Sequence, residues 1–315
     1  MKISKIKRKI KNYVFLCIGA CHNDSILKLK NKHKFFRTNP VFSENRPGGV
    51  STNIATNLRY FNNNIHLFSL FVTKSFKEKI TKKKINYHNI SNKKNDSFYT
   101  AVLDKFGKLF LGLASNEAYE KLNKINNSLI NKYIKKNSYI ILDLCFNEFL
   151  TNNIINYYYK KNIKIMIPGT SVFKIYRIRK LLKKITALSL NEDEVLILSG
   201  KKTINKSITY ILNKNPAISL VITRGSKPVI MILNGIKYIG IVPKLKIKNE
   251  NGAGDAFAAM FFICIAAGYH PKTILSLSIA LGCLNAMEYK YTNMINFNNK
   301  LNFLIKKTKV DIYDI

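Results

Sequence analysis

The sequence predicts an α/β protein: a mostly parallel central sheet with helices on both faces, a three-layer α/β/α sandwich, and a small β-sheet covering one edge. Three observations predict it. Short apolar runs alternate with segments of helical periodicity along nearly the whole chain, and strands separated by helices pair in parallel. The alternation breaks where residues 98–103 and 108–113 read as a hairpin, and where polar, basic residues 25–46 read as irregular structure or short strands. These pieces are expected to pair as the small sheet. No internal repeat or long linker interrupts the 315 residues, so one domain over 1–315 is expected, with small-sheet segments near 25–46 and 95–114.

In chain order, Val14 to Ile18 reads as a buried first strand and Gly19 to Asp24 as the loop after it. Pro47-Gly48-Gly49-Val50 is a turn, after which Ser51 or Thr52 is placed to cap a helix with Ile54, Ala55, Leu58 and Phe61 on one face. A strand over 65–72 and a basic helix over 74–84 follow. After the hairpin come a helix over 122–133, a strand over 139–144, a helix over 149–159 and a strand over 163–167. A basic helix over 174–184, a short strand over 187–190 and helices over 192–198 and 204–212 lead to a strand over 218–222. Strands 229–233 and 236–241 flank Asn234-Gly235, the sequence of a type I′ hairpin turn. Two apolar helices, one from Asp255 and one from Lys272 to about Tyr289, close the reading.

Composition narrows the class. Fifty-three Lys and Arg against 17 Asp and Glu give a formal charge of +36, which raises nucleic acid or an anionic membrane as partners. Only Arg8, Arg37, Arg46, Arg59, Arg177, Arg179 and Arg224 are arginines, although arginine is the better phosphate fork. The lysines are scattered among many Asn and Ile, which share A/T-rich codons with Lys, so base composition accounts for the charge. No specific nucleic-acid partner is expected; the charge still draws in anionic substrates such as ATP. Five cysteines in apolar settings, without CxxC or zinc spacing, read as free thiols in a reducing cytoplasm. Basic residues before the run Tyr13 to Ala20 resemble a signal peptide, but the run reads better as the first strand. The run Ala256 to Ala267 is too short to span a bilayer, and no membrane partner is expected.

The chemistry concentrates at Asn251-Gly252-Ala253-Gly254-Asp255-Ala256-Phe257. A small-residue turn feeding a helix leaves backbone N–H groups free, and they and the helix dipole favour an anion. Asp255 places a carboxylate in the same first turn. An anion cradle beside a base suits transfer of a phosphoryl group to a hydroxyl. There is no GxxxxGK[ST] and no GxGxxG after the first strand. Asp24, Gly48-Gly49, Asn191 and Asn251 to Asp255 all fall in predicted loops or turns, where such folds bind ligands.

Two separated signatures resemble those of the PfkB (ribokinase-like) carbohydrate and nucleoside kinases. Gly48-Gly49-Val50-Ser51-Thr52-Asn53-Ile54-Ala55 is similar to the family's GG-x-x-x-N-x-A, and Asn251 to Phe257 to its GAGDAF. Between them, Asn191-Glu192-Asp193-Glu194 resembles N-x-x-E and Thr223-Arg224-Gly225 resembles T-x-G. The resemblance implies a ribokinase-like sandwich with a small β lid and ATP- and Mg²⁺-dependent phosphorylation of a sugar hydroxyl. It implies Asp255 as general base and Gly252, Ala253 and Gly254 as anion hole. Asp24, Gly48, Gly49 and Asn53 would hold the sugar, with Tyr99 or Thr100 reaching it from the lid. Asn191 and Glu194 would position Mg²⁺, and Thr223 and Gly225 the nucleotide.

Within the family the resemblance is strongest to the pseudouridine kinases. It lies in Gly19 to Asp24, Thr38 to Val41, Tyr99 to Asp104 with Gly107, and Tyr291-Thr292-Asn293. That implies the 5′-hydroxyl of pseudouridine as acceptor, with another nucleoside or sugar as the alternative, and a non-catalytic nucleotide- or RNA-binding protein as an alternative of another class. The chain departs from the family pattern at Asn63, at Val72 to Phe76, at Glu250-Asn251, where a monovalent-cation site is left undefined, and at His22, where many members have Asn. An exposed edge on the lid would allow a homodimer.

Overall fold

The computed structural model describes residues 3–248, 250–287 and 294–313. Its first segment is helix α1 (Ile3–Lys9), followed by β1 (Val14–Ile18), β2 (His22–Leu29), β3 (Val41–Gly48), α2 (Val50–Arg59), β4 (Ile65–Ser69), α3 (Lys74–Lys82) and β5 (Asn86–Asn89). Next come β6 (Phe98–Leu103), β7 (Leu109–Ser115), α4 (Glu117–Glu120), α5 (Asn127–Asn131), β8 (Ser138–Leu142), α6 (Glu148–Lys160) and β9 (Lys164–Pro168). A 3₁₀ helix over Ile175–Lys184 leads to β10 (Ala187–Asn191), α7 (Glu192–Ser199), α8 (Ile204–Lys214), β11 (Ser219–Thr223), β12 (Val229–Leu233) and β13 (Ile236–Gly240). The chain ends in α9 (Ala253–Ala266), α10 (Pro271–Ala286), α11 (Met294–Lys307) and β14 (Val310–Tyr313).

The main sheet has ten strands in the order β14-β13-β12-β11-β10-β9-β8-β1-β4-β5. From β5 to β11 every pairing is parallel, and β12, β13 and β14 close one side antiparallel. Its central strands are buried on both faces, which is why β1 reads VFLCI and β8 SYIIL without polar alternation. Alternate residues of β1 divide the core: Phe15 and Cys17 join α1, α2, α3, α9, α10 and α11 on one face. Val14, Leu16 and Ile18 join α4, α5, α6, the 3₁₀ helix, α7 and α8 on the other. The result is the predicted α/β/α sandwich. No helix among the described residues is long and apolar enough to cross a membrane.

The second sheet, β3-β2-β6-β7, stands beside the carboxyl end of β1. Ile26, Ala101 and Leu103, with Tyr99 against them, form its small core. Residues 25–46, expected as irregular structure or short strands, are two long strands joined by a loop. Asp24 therefore lies within a strand and not in a loop after β1. The helix expected over 122–133 is confined to α5: residues 121–126 are irregular after the unexpected α4, and Asn126 starts α5 by accepting from the Leu129 N–H (3.0 Å). Helix α2 starts at Val50 on Gly49, whose φ is +93°, without the expected Ser51 or Thr52 cap. The basic segment 174–184 is 3₁₀ rather than α. Asn234 and Gly235 have φ of 52° and 76°, the type I′ turn expected. Sequence reading missed α1, β5, α11 and β14; Tyr291-Thr292-Asn293 lies outside the described residues.

Candidate active site

Helix α9 begins on Gly252, held in the left-handed region at φ +81°, where glycine carries no Cβ penalty. The next residues, Ala253 and Gly254, form the wall of a cleft of ≈ 470 Å³ that also contains Thr223 and Gly225. A Cβ at Gly254 or at Gly225 would meet nothing within 4 Å. Both glycines therefore border open space in the cleft and are not packed against protein. Val229, Phe257 and Ile279 give the same cleft an apolar wall. Glu250, one of the departures from the family pattern, lines it too.

Asp255, in the first turn of α9, accepts a hydrogen bond from Asn53 Nδ2 on α2 (2.8 Å). Burial pushes its carboxyl up to about 7; the Asn53 bond works against that, and the carboxylates of Asp143, Asp24 and Glu194 add to it. Asn53, expected to line the sugar pocket, thus has its amide on the proposed base. Residues from α2, β2, α7 and the end of β8 converge electrostatically on the start of α9.

Asp24 is buried on the inward face of β2, with His22 beside it on the same face; His22 Nδ1 stands 3.0 Å from Asp24 Oδ1. Gly48 lies across from them: a Cβ there would fall 1.9 Å from Asp24 Oδ1, so only glycine leaves the carboxylate its place. A Cβ on Gly49 would lie 2.4 Å from the Ala20 carbonyl oxygen. Register places Tyr99 directly opposite Asp24, and Thr100 opposite Ser25. Because neighbouring strand residues point to opposite faces, Thr100 faces away from the side that carries Asp24. Of the two lid residues expected to reach the acceptor, Tyr99 shares the face of Asp24 and Thr100 does not.

Asn191 ends β10 and caps α7. Its Oδ1 accepts from the Glu194 N–H (2.8 Å), and Glu194 Oε2 accepts from the Asn191 N–H (2.8 Å), a reciprocal capping box. Glu194 is 4 % exposed; burial pushes its carboxyl up to about 6, the Asn191 bond opposes this and Asp193 adds to it. A Cβ at Gly169 would lie 1.9 Å from Glu194 Oε2, so that glycine makes room for the carboxylate. Thr223 pairs with Asn191 in register across β10 and β11. Arg224 Nε on Glu192 Oε2 (3.3 Å) holds the Thr-Arg-Gly turn against the start of α7.

Asp143 was not foreseen. It follows β8, is fully buried, and accepts from the Ala20 N–H (3.0 Å) and Thr170 Oγ1 (3.2 Å). Burial raises its carboxyl, against the Ala20 bond, Lys174, the Thr170 bond and His22. A carboxylate directly after an apolar parallel strand was the available signal, because ligands collect at that end of the sheet. Two departures have local explanations. Thr73 Oγ1 accepts from the Phe76 N–H (3.4 Å) and caps α3 where the family's glycine turn is missing. Asn63 accepts from Arg59 Nη1 (2.7 Å) in an exposed turn away from the site.

Residues 15–296 match the profile of the pfkB family carbohydrate kinases. The chain is 24% identical over 297 residues to pseudouridine kinase from Escherichia coli (strain K12), covering 90% of this chain and 93% of that protein. Among solved structures it is similar to a carbohydrate kinase from Agrobacterium tumefaciens, with a TM-score of 0.74, 18% identity and coverage of 96% and 100% of the two chains. It is also similar to a ribokinase from Thermotoga maritima, with a TM-score of 0.73, 18% identity and coverage of 93% and 99%.

Proposed function

The chain belongs to the pfkB family of carbohydrate kinases and is a phosphotransferase with a hydroxyl acceptor, and from that premise we propose that it transfers the γ-phosphoryl group of ATP to a ribosyl hydroxyl, the 5′-hydroxyl of pseudouridine. The observation that carries the reading is the start of α9, where a buried carboxylate adjoins an open cleft. Asp255 faces Asn53 and the Asp24 side, while Gly254 borders the cleft containing Thr223 and Gly225. A base with pKa about 7 is poised to take a hydroxyl proton at neutral pH. The N–H groups at the start of α9 meet the charge that develops on the transferring phosphoryl group, Gly252 and Gly254 supplying them, while the Ala253 N–H, expected to join them, is taken by the Glu250 carbonyl (3.2 Å).

Asp24, with Gly48 leaving it room, holds acceptor hydroxyls, since a carboxylate can accept several hydrogen bonds, and Gly49 lets the backbone turn pack on Ala20. Tyr99 takes the lid role in place of Thr100. Asn53 orients the Asp255 carboxylate. Thr223 and Gly225 border the nucleotide, and Asn191 fixes Glu194. The donor set, a carboxylate whose Oε2 is fixed by the Asn191 N–H, suits Mg²⁺ held through water. When bound, that ion neutralises phosphate charge. The 24% identity to pseudouridine kinase across 90% of the chain supports the choice of acceptor.

The test incubates the purified protein with Mg²⁺-ATP and pseudouridine, uridine, adenosine, ribose or fructose in turn, beside Asp255→Asn. Phosphorylated pseudouridine is expected, and no other acceptor should match it in kcat/KM. Product from ribose but not pseudouridine removes the acceptor assignment; equal turnover by Asp255→Asn removes the base.

A further inference from the structure

Gly19, Ala20 and Cys21 carry the chain from β1 of the main sheet to β2 of the lid, and all six of their backbone polar groups are bonded. The Gly19 N–H donates to the Phe68 carbonyl (3.0 Å), and the Gly19 carbonyl accepts from Ser69 Oγ (2.6 Å). The Ala20 N–H donates to Asp143 Oδ2 (3.0 Å), and its carbonyl accepts from Thr52 Oγ1 (3.2 Å). The Cys21 N–H donates to Tyr119 Oη (2.9 Å), and its carbonyl accepts from Asn95 Nδ2 (2.7 Å). A connection with every polar group claimed by surrounding elements has no freedom left to act as a hinge.

The chain crosses between lid and body at four places: near Cys21, at Gly48-Gly49, near Asn95 and between β7 and Tyr119. One hydroxyl ties three of them. Tyr119 Oη receives the Cys21 N–H, lies 3.3 Å from Asn95 Nδ2, and belongs to the segment leaving β7. It has one proton to give. Ser69 Oγ donates its own proton to Gly19, so the Tyr119 hydroxyl can donate to Ser69 Oγ (2.7 Å) or to the Cys21 carbonyl (3.2 Å). The fourth crossing packs on the first through the close approach of Gly49 to the Ala20 carbonyl. Tyr119 is fully buried, with its ring edge-on to Phe146. A phenylalanine would fill that space equally well, so the hydroxyl serves the lid roots and not the packing.

We propose that Tyr119 is a positioning residue: its hydroxyl clasps the lid roots and thereby fixes Asp24, which follows on the same strand, relative to Asp255. Lid movement then has to occur beyond the clasp, in β2, β3, β6 and β7 themselves. This rests on the assignment of Asp24 to the acceptor.

Tyr119→Phe keeps the ring and removes the clasp. The KM for the acceptor should rise roughly tenfold, the size expected when a few buried hydrogen bonds stop holding a binding group, and the KM for Mg²⁺-ATP should stay within about twofold. Amide hydrogen exchange should quicken at residues 21–24 and 97–99 and stay unchanged in β8 to β10. Should Tyr119→Phe fail to fold, Asn95→Ala, at a half-buried position, tests the same tie with the same expected direction. Unchanged exchange at the lid roots overturns the proposal. So does a rise of both KM values together with a fall in kcat, which marks a merely structural role. Absence of turnover by the wild type with every acceptor would remove the proposed function alone, because the exchange comparison still decides the clasp.

Discussion

Asp255→Asn replaces a carboxylate by an amide of the same shape and leaves Asn53 an oxygen to bond, so charge is the main thing removed. The structure raises the Asp255 carboxyl from its ordinary 3.8 to about 7, first through burial and then through Asp143, Asp24 and Glu194, against the Asn53 bond. At 1.36 kcal/mol per pH unit that corresponds to ~4 kcal/mol between the two protonation states. Residual solvent contact of the side chain screens its neighbours and lowers the figure to about 1–3 kcal/mol. The sign follows from linkage. A carboxyl with a raised folded pKa contributes stability that is fully present below its unfolded value near 4 and is lost as pH rises through about 7. The wild type therefore carries the penalty of a buried charge above pH 7, and Asp255→Asn does not. Urea melts at a series of pH values should show the variant more stable by about 1–3 kcal/mol at pH 8, the gap shrinking steadily toward pH 5. Turnover should move the other way, falling by ~10²–10⁴-fold. In the wild type, kcat/KM at limiting nucleotide should climb between about pH 6 and 8 as the base ionises. A stability gap that does not change with pH, or a variant less stable than wild type at pH 8, would refute the reasoning.

Other substitutions separate the parts of the site. Gly254→Ala meets nothing within 4 Å and should leave the denaturation midpoint unchanged or slightly raised through helix propensity, while the KM for Mg²⁺-ATP rises about tenfold or more because the methyl enters the anion's approach; an unchanged KM would show that no phosphate comes there. Gly48→Ala sets a Cβ 1.9 Å from Asp24 Oδ1, so titration should show weaker acceptor binding with Mg²⁺-ATP binding unaltered. Glu194→Gln keeps an oxygen for the Asn191 N–H but lacks the charge, and the Mg²⁺ concentration giving half-maximal rate should rise about tenfold; Glu194→Ala should in addition lower stability by about 1 kcal/mol through loss of the capping box. The thiols of Cys17 and Cys264 are raised by burial, and that of Cys283 is pushed up to about 11. Native protein should react far more slowly with a thiol reagent at pH 8 than urea-unfolded protein.

The sequence by itself determined those features whose cause is local. A glycine turn entering a helix exposes N–H groups wherever it occurs in space, so Gly252 to Asp255 could be read from seven consecutive residues. The roles of Asn191 and Glu194 were reached only through the resemblance, although the capping box they form is completed within one helical turn. The alternation of strands and helices, the type I′ turn at Asn234-Gly235 and the apolar run of β1 are also short-range signals, and they were enough for the sandwich and its lid. Local signals failed where two readings had similar short-range energies. The apolar residues of β6 fall on both faces, so only pairing with β2 decided that Tyr99 and not Thr100 faces Asp24. The polar run His88–Asn89 became part of an edge strand only because β4 offered it hydrogen bonds.

Tertiary structure alone decided the roles that depend on distant partners. Asp143 meets the Ala20 N–H across 123 residues of chain, Tyr119 meets Cys21 across 98, and Asn53 meets Asp255 across 202. None of these pairings has a pattern of its own, because a hydrogen bond depends on the position of the acceptor and not on sequence separation. The raised pKa of Asp255 has the same origin: it arises from burial and from three carboxylates on other elements, and exists only once the sheet, α9 and the lid have assembled.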